Sequence, residues 1–223
     1  MAVRAELESL LRARKLDVTL TTVLPLARRD PGDLAPTGIP QLDRELGGGF
    51  RRGHLSEIVG ARSSGRTSVL CSTLAAAASR GELVALIDTC DRFDPSSAAA
   101  AGLDLSRLLW IRDTGDAARA LKAAMLVLQA GGFGVVAFDL ADVRPPALRS
   151  FPFTTWLRLA RAIEGSETLA LLVAAERLAR SPGGVTVSLD VAPGETRACW
   201  TGAAHRARLL RGLTLQPRVI RAR

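Results

Sequence analysis

The chain has 223 residues, 48% of them hydrophobic, and a formal net charge of +8, which suits one α/β domain with a substantial core and leaves little room for a second. It contains no run of about eighteen apolar residues, and Arg4, Glu6 and Glu8 stand where a signal peptide needs an apolar stretch; a soluble, cytoplasmic protein without a membrane span is expected. Cys71, Cys90 and Cys199 lie far apart without metal-ligand spacing, so buried thiols and no metal site are expected. The charge points to an acidic partner such as nucleic acid, although twenty-eight arginines against two lysines, Lys15 and Lys122, also mark a general arginine bias.

Val3, Leu7, Leu10 and Leu11 recur at helical spacing within residues 2–16, and an extended piece, 17–23, follows. Together they form an expected helix-strand interaction arm, residues 1–24. A connector rich in proline and glycine, 25–40, separates it from a core spanning 37–223. In that core, 55–59 reads as a buried strand, 67–79 as an alanine-rich helix stopped by Gly81, and 83–88 as a strand. Asp94 and Pro95 start a helix ending near Gly102, 108–112 is a strand, and Asp113 or Thr114 caps a helix over 117–129 that Gly131 and Gly132 end. Strand 134–139 ends in the carboxylate of Asp139; helix 154–164, strand 168–174 and the alternating 185–189 complete the series. Continuous apolar strands alternating with helices predict a mostly parallel sheet covered by helices on both faces.

Between the first of these strands and its helix, Gly60, Ala61, Arg62, Ser63, Ser64, Gly65, Arg66, Thr67 and Ser68 match the phosphate-binding pattern GxxxxGK[ST] except that Arg66 replaces lysine. Such loops present backbone N–H groups to phosphates, with the lysine reaching the outer phosphates and the hydroxyl residue holding magnesium. A guanidinium is planar and wider than an ammonium. The substitution predicts impaired or absent phosphoryl transfer at a degenerate nucleotide site of Gly60, Ser64, Gly65, Arg66, Thr67, Ser68 and Asp139.

With this loop, Asp88 and Asp139 in register, the chain resembles the bacterial RecA recombinase core over nearly its whole length. Residues 37–43, 47–49, Arg52, Gly53 and 57–60 look like that family's run into its phosphate loop, and 87–95 like its next strand end. The resemblance implies a RecA-like P-loop domain with an amino-terminal arm. It places Cys90 where active members carry the catalytic glutamate, Ser97 where an aromatic residue stacks on adenine, and Ala175 where a glutamine senses the γ-phosphate. Asp91 is a candidate substitute for the glutamate, though strand alternation points it away from the Cys90 side. A water-activating carboxylate contributes typically about 10²–10⁴-fold to rate, so near-background hydrolysis is expected.

A short RecA-like chain with these departures looks like the ImuA group, RecA-related accessory proteins of bacterial damage-induced (SOS) mutagenesis. That resemblance implies a non-catalytic role in DNA repair and error-prone translesion synthesis through protein contacts. The implied partners are RecA, an ImuB-like relative of Y-family polymerases, and an error-prone polymerase. No cofactor is required on this reading, residual ATP or ADP binding being left open, and Val3, Leu7, Leu10 and Leu11 are the expected partner-binding residues. Two other readings stand beside it: a working DNA-dependent ATPase or recombinase, and a plain DNA-binding protein using its arginines.

The family's DNA-contacting loops are not recognisable. Phe151, Phe153 and Trp156 beside Arg149, Arg158 and Arg161 read either as a base-stacking platform or, for Trp156, Leu157 and Ala160, as the core face of a helix; Trp200 reads as packing. Residues 197–223 hold seven arginines, one histidine and no acid. Arg144, Arg149, Arg206, Arg208, Arg211, Arg218, Arg221 and Arg223 are expected to form a basic surface for DNA or a partner, with the apolar residues between the last six packing on the sheet.

Overall fold

The computed structural model describes residues 33–179, 181–189, 198–201, 209–213 and 217–221. The element order is β1 (Leu34–Ala35), α1 (Pro40–Leu46), β2 (Phe50–Arg51), β3 (Leu55–Val59), α2 (Arg66–Ser79), β4 (Val84–Asp88), α3 (Pro95–Ala100), β5 (Leu108–Arg112), α4 (Ala117–Ala130), β6 (Val135–Asp139), α5 (Pro145–Arg149), α6 (Phe153–Ile163), β7 (Leu169–Ala174), β8 (Val185–Ser188), β9 (Ala198–Thr201), β10 (Leu209–Leu213) and β11 (Arg218–Arg221). The arm expected over residues 1–24 lies outside the described residues. No described helix is long and apolar enough to cross a membrane.

Seven strands form one sheet in the order β11-β8-β3-β7-β6-β4-β5. All neighbours run parallel except β11, which pairs antiparallel with β8, Arg218 opposite Ser188 and Arg221 opposite Val185. The mostly parallel sheet expected from the apolar runs is therefore present, and its strands alternate between two buried faces. Val84, Leu86, Val135, Ala137, Leu171 and Val173 pack with Val69, Leu70 and Leu74 of α2 on one side. Ala85, Ile87, Val136, Phe138, Ala170 and Leu172 pack with α4 and with Trp156, Leu159 and Ile163 of α6 on the other. In β4, β6 and β7 both faces are covered and both parities are apolar up to the strand end, which is why these strands show no polar alternation in the sequence.

Several local details differ from expectation. α1 was not read from the connector, yet Pro40 sits at its first turn and Gly47, left-handed at φ 75°, closes it, the usual asymmetry of helix ends. Asp43 fixes its start by accepting from the Thr37 N–H at 2.7 Å and the Thr37 hydroxyl at 2.8 Å. α4 is capped by Asp116, which accepts from Ala118 and Arg119 N–H, rather than by Asp113 or Thr114. Asp113 holds the preceding turn through Thr114 and Asp116 N–H and binds the Arg119 guanidinium at 2.5 Å. The proline-rich stretch after β6 holds the short helix α5.

Candidate functional site: the loop between β3 and α2

The parallel strands bring their carboxyl ends to one edge of the sheet. Val59, Ala174, Asp139, Asp88 and Arg112 close β3, β7, β6, β4 and β5 there, the place where open α/β sheets bind ligands. The glycine-spaced loop leaves β3 at this edge and enters α2. Gly60 is needed for close approach: a Cβ there would stand 2.6 Å from the Ser64 Oγ and 3.2 Å from the Leu189 Cβ. Gly65 is left-handed at φ 96° and serves as the α2 N-cap without any side-chain capping hydrogen bond. The N-cap glycine brings no capping side chain to the first-turn N–H groups of α2, which carry the positive end of the helix dipole. Thr67 and Ser68 are exposed, whereas Ser64, Gly65 and Arg66 are buried.

Arg66 is 7% exposed, and its Nη1 is buried without a hydrogen-bond partner. Its charge acts on Asp139 across the edge of the sheet. Asp139 accepts from the Ala141 N–H at 2.9 Å; burial, reinforced by Asp88 and Asp142 and opposed by that hydrogen bond and by Arg66, pushes its carboxyl up to about 6. Above the loop, Asp142 receives the Arg62 guanidinium at 3.1 Å and lies 3.8 Å from the Arg92 Nε. It joins the phosphate loop to the turn after β4.

That turn is tightly organised. Asp88 is 1% exposed; its carboxylate accepts from Arg92 N–H at 2.9 Å, Phe93 N–H at 2.9 Å and the Trp110 indole at 3.3 Å. Phe93 meets Trp110 edge-on with ring centroids 5.3 Å apart, and Arg112 lies over the Trp110 ring at 4.7 Å. Arg112 also grips Asp91 through two bonds of 2.8 Å, with Asp91 itself at φ 54°. The Arg112 hydrogen bonds hold Asp91 below the usual carboxylate range. Cys71 is buried, but Cys90 is only half-buried, a departure from three buried thiols; the Cys199 side chain lies outside the described residues. Burial, together with Asp142, Asp139 and Asp88, pushes the Cys90 thiol up despite Arg92, which keeps it protonated and poorly nucleophilic. Ser97 is exposed and its hydroxyl donates to Asp94, and Ala175 is exposed just beyond β7.

Sequence reasoning located the loop, Arg66 and Asp139, and the fold brings them to one edge. It missed Asp142, whose only signal was a carboxylate three residues beyond the β6 end, and Glu57, which is 2% exposed and accepts from Leu178 and Ala179 N–H at 2.7 Å and from the Thr186 hydroxyl at 3.0 Å. Among the described residues, no group of three or more His, Cys, Asp or Glu side chains is placed to hold a metal ion.

The expected basic surface is not one cluster among the described residues. Arg144 and Arg149 are exposed beside α5, with Arg149 bound to Glu176 at 3.1 Å. Arg218 is exposed on β11, four strands from β6 in the sheet order and hence about 19 Å away at strand spacing. Arg221 falls at the far end of β11, opposite Val185. Val219 packs against the core, so this strand does hold the segment on the sheet. Arg206, Arg208 and Arg223, and the side chain of Arg211, lie outside what is described, as do Val3, Leu7, Leu10 and Leu11. Trp156 is 4% exposed in the core with Phe151 against it, centroids 6.1 Å apart; the core-face reading holds for it, while Phe153 is exposed.

A parallel sheet with a glycine loop leading into a helix at its carboxyl edge, and an aspartate two strands away, defines a RecA-like P-loop protein. The model of the RecA N-terminal domain family matches residues 19–147, and the chain belongs to that family. Protein RecA of Kineococcus radiotolerans is 38% identical over 113 residues, covering 50% of this chain and 32% of its own length. Protein RecA of Acidothermus cellulolyticus is 39% identical over 113 residues with the same coverage, and that of Methylococcus capsulatus 38% over 118 residues, 52% of this chain and 33% of its own. The match thus spans about a third of the length of these relatives. Among solved structures, that of the RadB recombinase superposes with a TM-score of 0.55 at 19% identity, covering 72% of this chain and 84% of that one; this supports the fold alone.

Proposed function

We propose that this chain is a non-catalytic member of the RecA family that acts through protein contacts in the bacterial response to DNA damage, modulating RecA and supporting error-prone translesion synthesis as an ImuA-like accessory protein. One observation carries the first half of this reading. The phosphate loop keeps its scaffold, but no carboxylate is free at the end of β4 to activate water: Cys90 stands at the reactive position, Asp88 accepts three hydrogen bonds, and Asp91 is held by Arg112. A group already committed to neighbouring donors makes a poor general base. The alternative, a DNA-dependent ATPase of the RecA family, needs one of these to be released. The exposed Phe153 and Arg144 leave DNA contact as a secondary property of the same protein.

The test is phosphate release from ATP with and without single-stranded DNA. The expected result is release at background in both, and no recovery in Arg66→Lys, since the carboxylate is still missing; DNA-stimulated turnover at the level of an active recombinase overturns the reading. The protein-contact half is tested by capture on immobilised RecA. Replacing Leu7 and Leu11 by Asp is expected to abolish capture with the melting temperature nearly unchanged. A large loss of stability would instead make the amino-terminal segment part of the core.

A further inference from the structure

We infer that the outer edge of β5 is a self-association surface, on which β5 of a second copy of this chain pairs antiparallel about a two-fold axis through Trp110. β5 closes the sheet order on one side, and among the described residues no strand lies beyond it. Which of its backbone groups point outward follows from one bond. The Asp113 N–H donates to the Asp88 carbonyl at 2.9 Å, so by strand alternation Leu109 and Ile111 also turn theirs to β4, while Trp110 and Arg112 turn theirs away. The Leu108 N–H donates to the Leu105 carbonyl, but the Leu108 carbonyl faces outward. Residues 108–112 carry none of the guards that keep natural edge strands apart. They hold no proline and no lysine, and they stay in register with β4 from Leu108 to Arg112 without a bulge. Their one charge, Arg112, is neutralised by Asp91 through two bonds of 2.8 Å. Leu109 is 41% exposed on this strand; Leu83, next to the β4 residue that partners Leu108, and Leu105, which begins the turn into β5, are 49% and 39% exposed. Among the described residues, most of the large apolar side chains left in solvent gather at this edge, where a covering strand would bury them.

Self-complementarity selects a second copy as the occupant. With Trp110 opposite Trp110 of the second copy, the two tryptophans exchange both of their backbone bonds, and at each end the free Leu108 carbonyl accepts from the Arg112 N–H of the other chain. On the face shared with Ala85 and Ile87, this register sets the exposed Leu109 against Ile111 of the second copy. A slip of two residues would set Leu109 against Asp113 in one direction or Ile111 against Arg107 in the other, so the apolar pairs fix the register. Charge agrees with it. Just before the strand, Arg107, whose only acidic partner is Asp104 at 3.5 Å on the surface, falls opposite Asp113 of the second copy, a cation against an acid at both ends. A contact of this symmetry uses the same edge twice and therefore closes at two copies, whereas a head-to-tail contact would continue. It needs no nucleotide, so it stands or falls separately from the non-catalytic reading of the phosphate loop.

The experiment is sedimentation velocity of the full chain over about 1–200 μM, the range in which a small interface dissociates, with amide hydrogen exchange read at both ends of that range. The expected result is a monomer–dimer equilibrium. Exchange at the Trp110 and Arg112 amides should slow by at least about threefold at the higher concentration, while Leu109 and Ile111 are slow throughout because β4 holds them. Leu109→Lys places a charge on the edge twice per dimer and should weaken association by at least about tenfold, with the melting temperature nearly unchanged. Should that variant lose stability, exchange in the wild-type chain decides alone. A chain that stays monomeric over the whole range overturns the proposal, and so does a dimer in which Trp110 and Arg112 exchange as fast as in the monomer, which puts the contact on another surface. Amides at both positions that are already slow at the lowest concentration would mean that a segment of the same chain covers the edge. Assembly that continues past two copies would rule out the two-fold pairing.

Discussion

Replacing Glu57 by Ala is expected to destabilise the protein by about 3 kcal/mol. The side chain is in the middle of β3, 2% exposed, and one oxygen accepts both the Leu178 and Ala179 N–H while the other takes the Thr186 hydroxyl. Alanine leaves three buried polar groups without partners, each costing on the order of 1–3 kcal/mol, offset by no longer burying the carboxyl group. Glu57→Gln keeps an oxygen for the two N–H groups and offers an amide to a hydroxyl that can rotate, so its loss is expected to stay below about 1 kcal/mol. Urea unfolding midpoints check both values, and equal midpoints for wild type and Glu57→Ala would refute the account. The effect should also be local. Leu178 and Ala179 follow β7, and Thr186 pairs with Glu57 itself in the β3–β8 register, so one carboxyl sets how the segment after β7 returns to the sheet beside the phosphate loop. Amide exchange at Leu178 and Ala179 should rise by about a hundredfold in Glu57→Ala.

Strands such as β6 and β7 were legible because both faces of the sheet are buried there and their residues run apolar almost without interruption. The loop was legible because its glycines serve positions that a side chain cannot occupy, Gly60 against Ser64 and Gly65 at positive φ. Interactions that depend on the finished fold were not. Asp142 meets Arg62 across 80 positions of chain, and Glu57 meets Leu178 across 121; neither pairing leaves a period or a motif. The α4 cap shows the limit of local reading, because Asp113, Thr114 and Asp116 all have capping chemistry and the choice is made by Arg119, which draws Asp113 to itself. α1 and α5 were hidden by their prolines, which mark a break when read alone and a first helical turn once the following residues close it. Of the expected basic surface, the described residues place Arg144 and Arg149 at α5 and Arg218 on β11.

Asp139→Asn is expected to stabilise the protein at pH 8 and leave it unchanged near pH 4. Burial holds the folded carboxyl at about 6 against an ordinary 3.8, so the folded state binds the proton more tightly than the unfolded one. The cost of ionising it is absent below about 4, grows as pH rises through the interval from about 4 to 6, and is fully present above about 6. Two pH units correspond to about 3 kcal/mol; the side chain keeps partial contact with solvent, so about 2 kcal/mol is the expected gain for a neutral amide whose oxygen can still accept from Ala141. For a chain of this size that is a rise of about 5 °C in melting temperature at pH 8. A lower melting temperature at pH 8 would mean that the Asp139 charge is needed as the counter-ion of the buried Arg66, and that the two form a structural pair. The expected gain says instead that an ionised carboxylate is kept at a cost to stability, the pattern of groups retained at binding sites, which ties Asp139 to the phosphate loop opposite rather than to the packing around it.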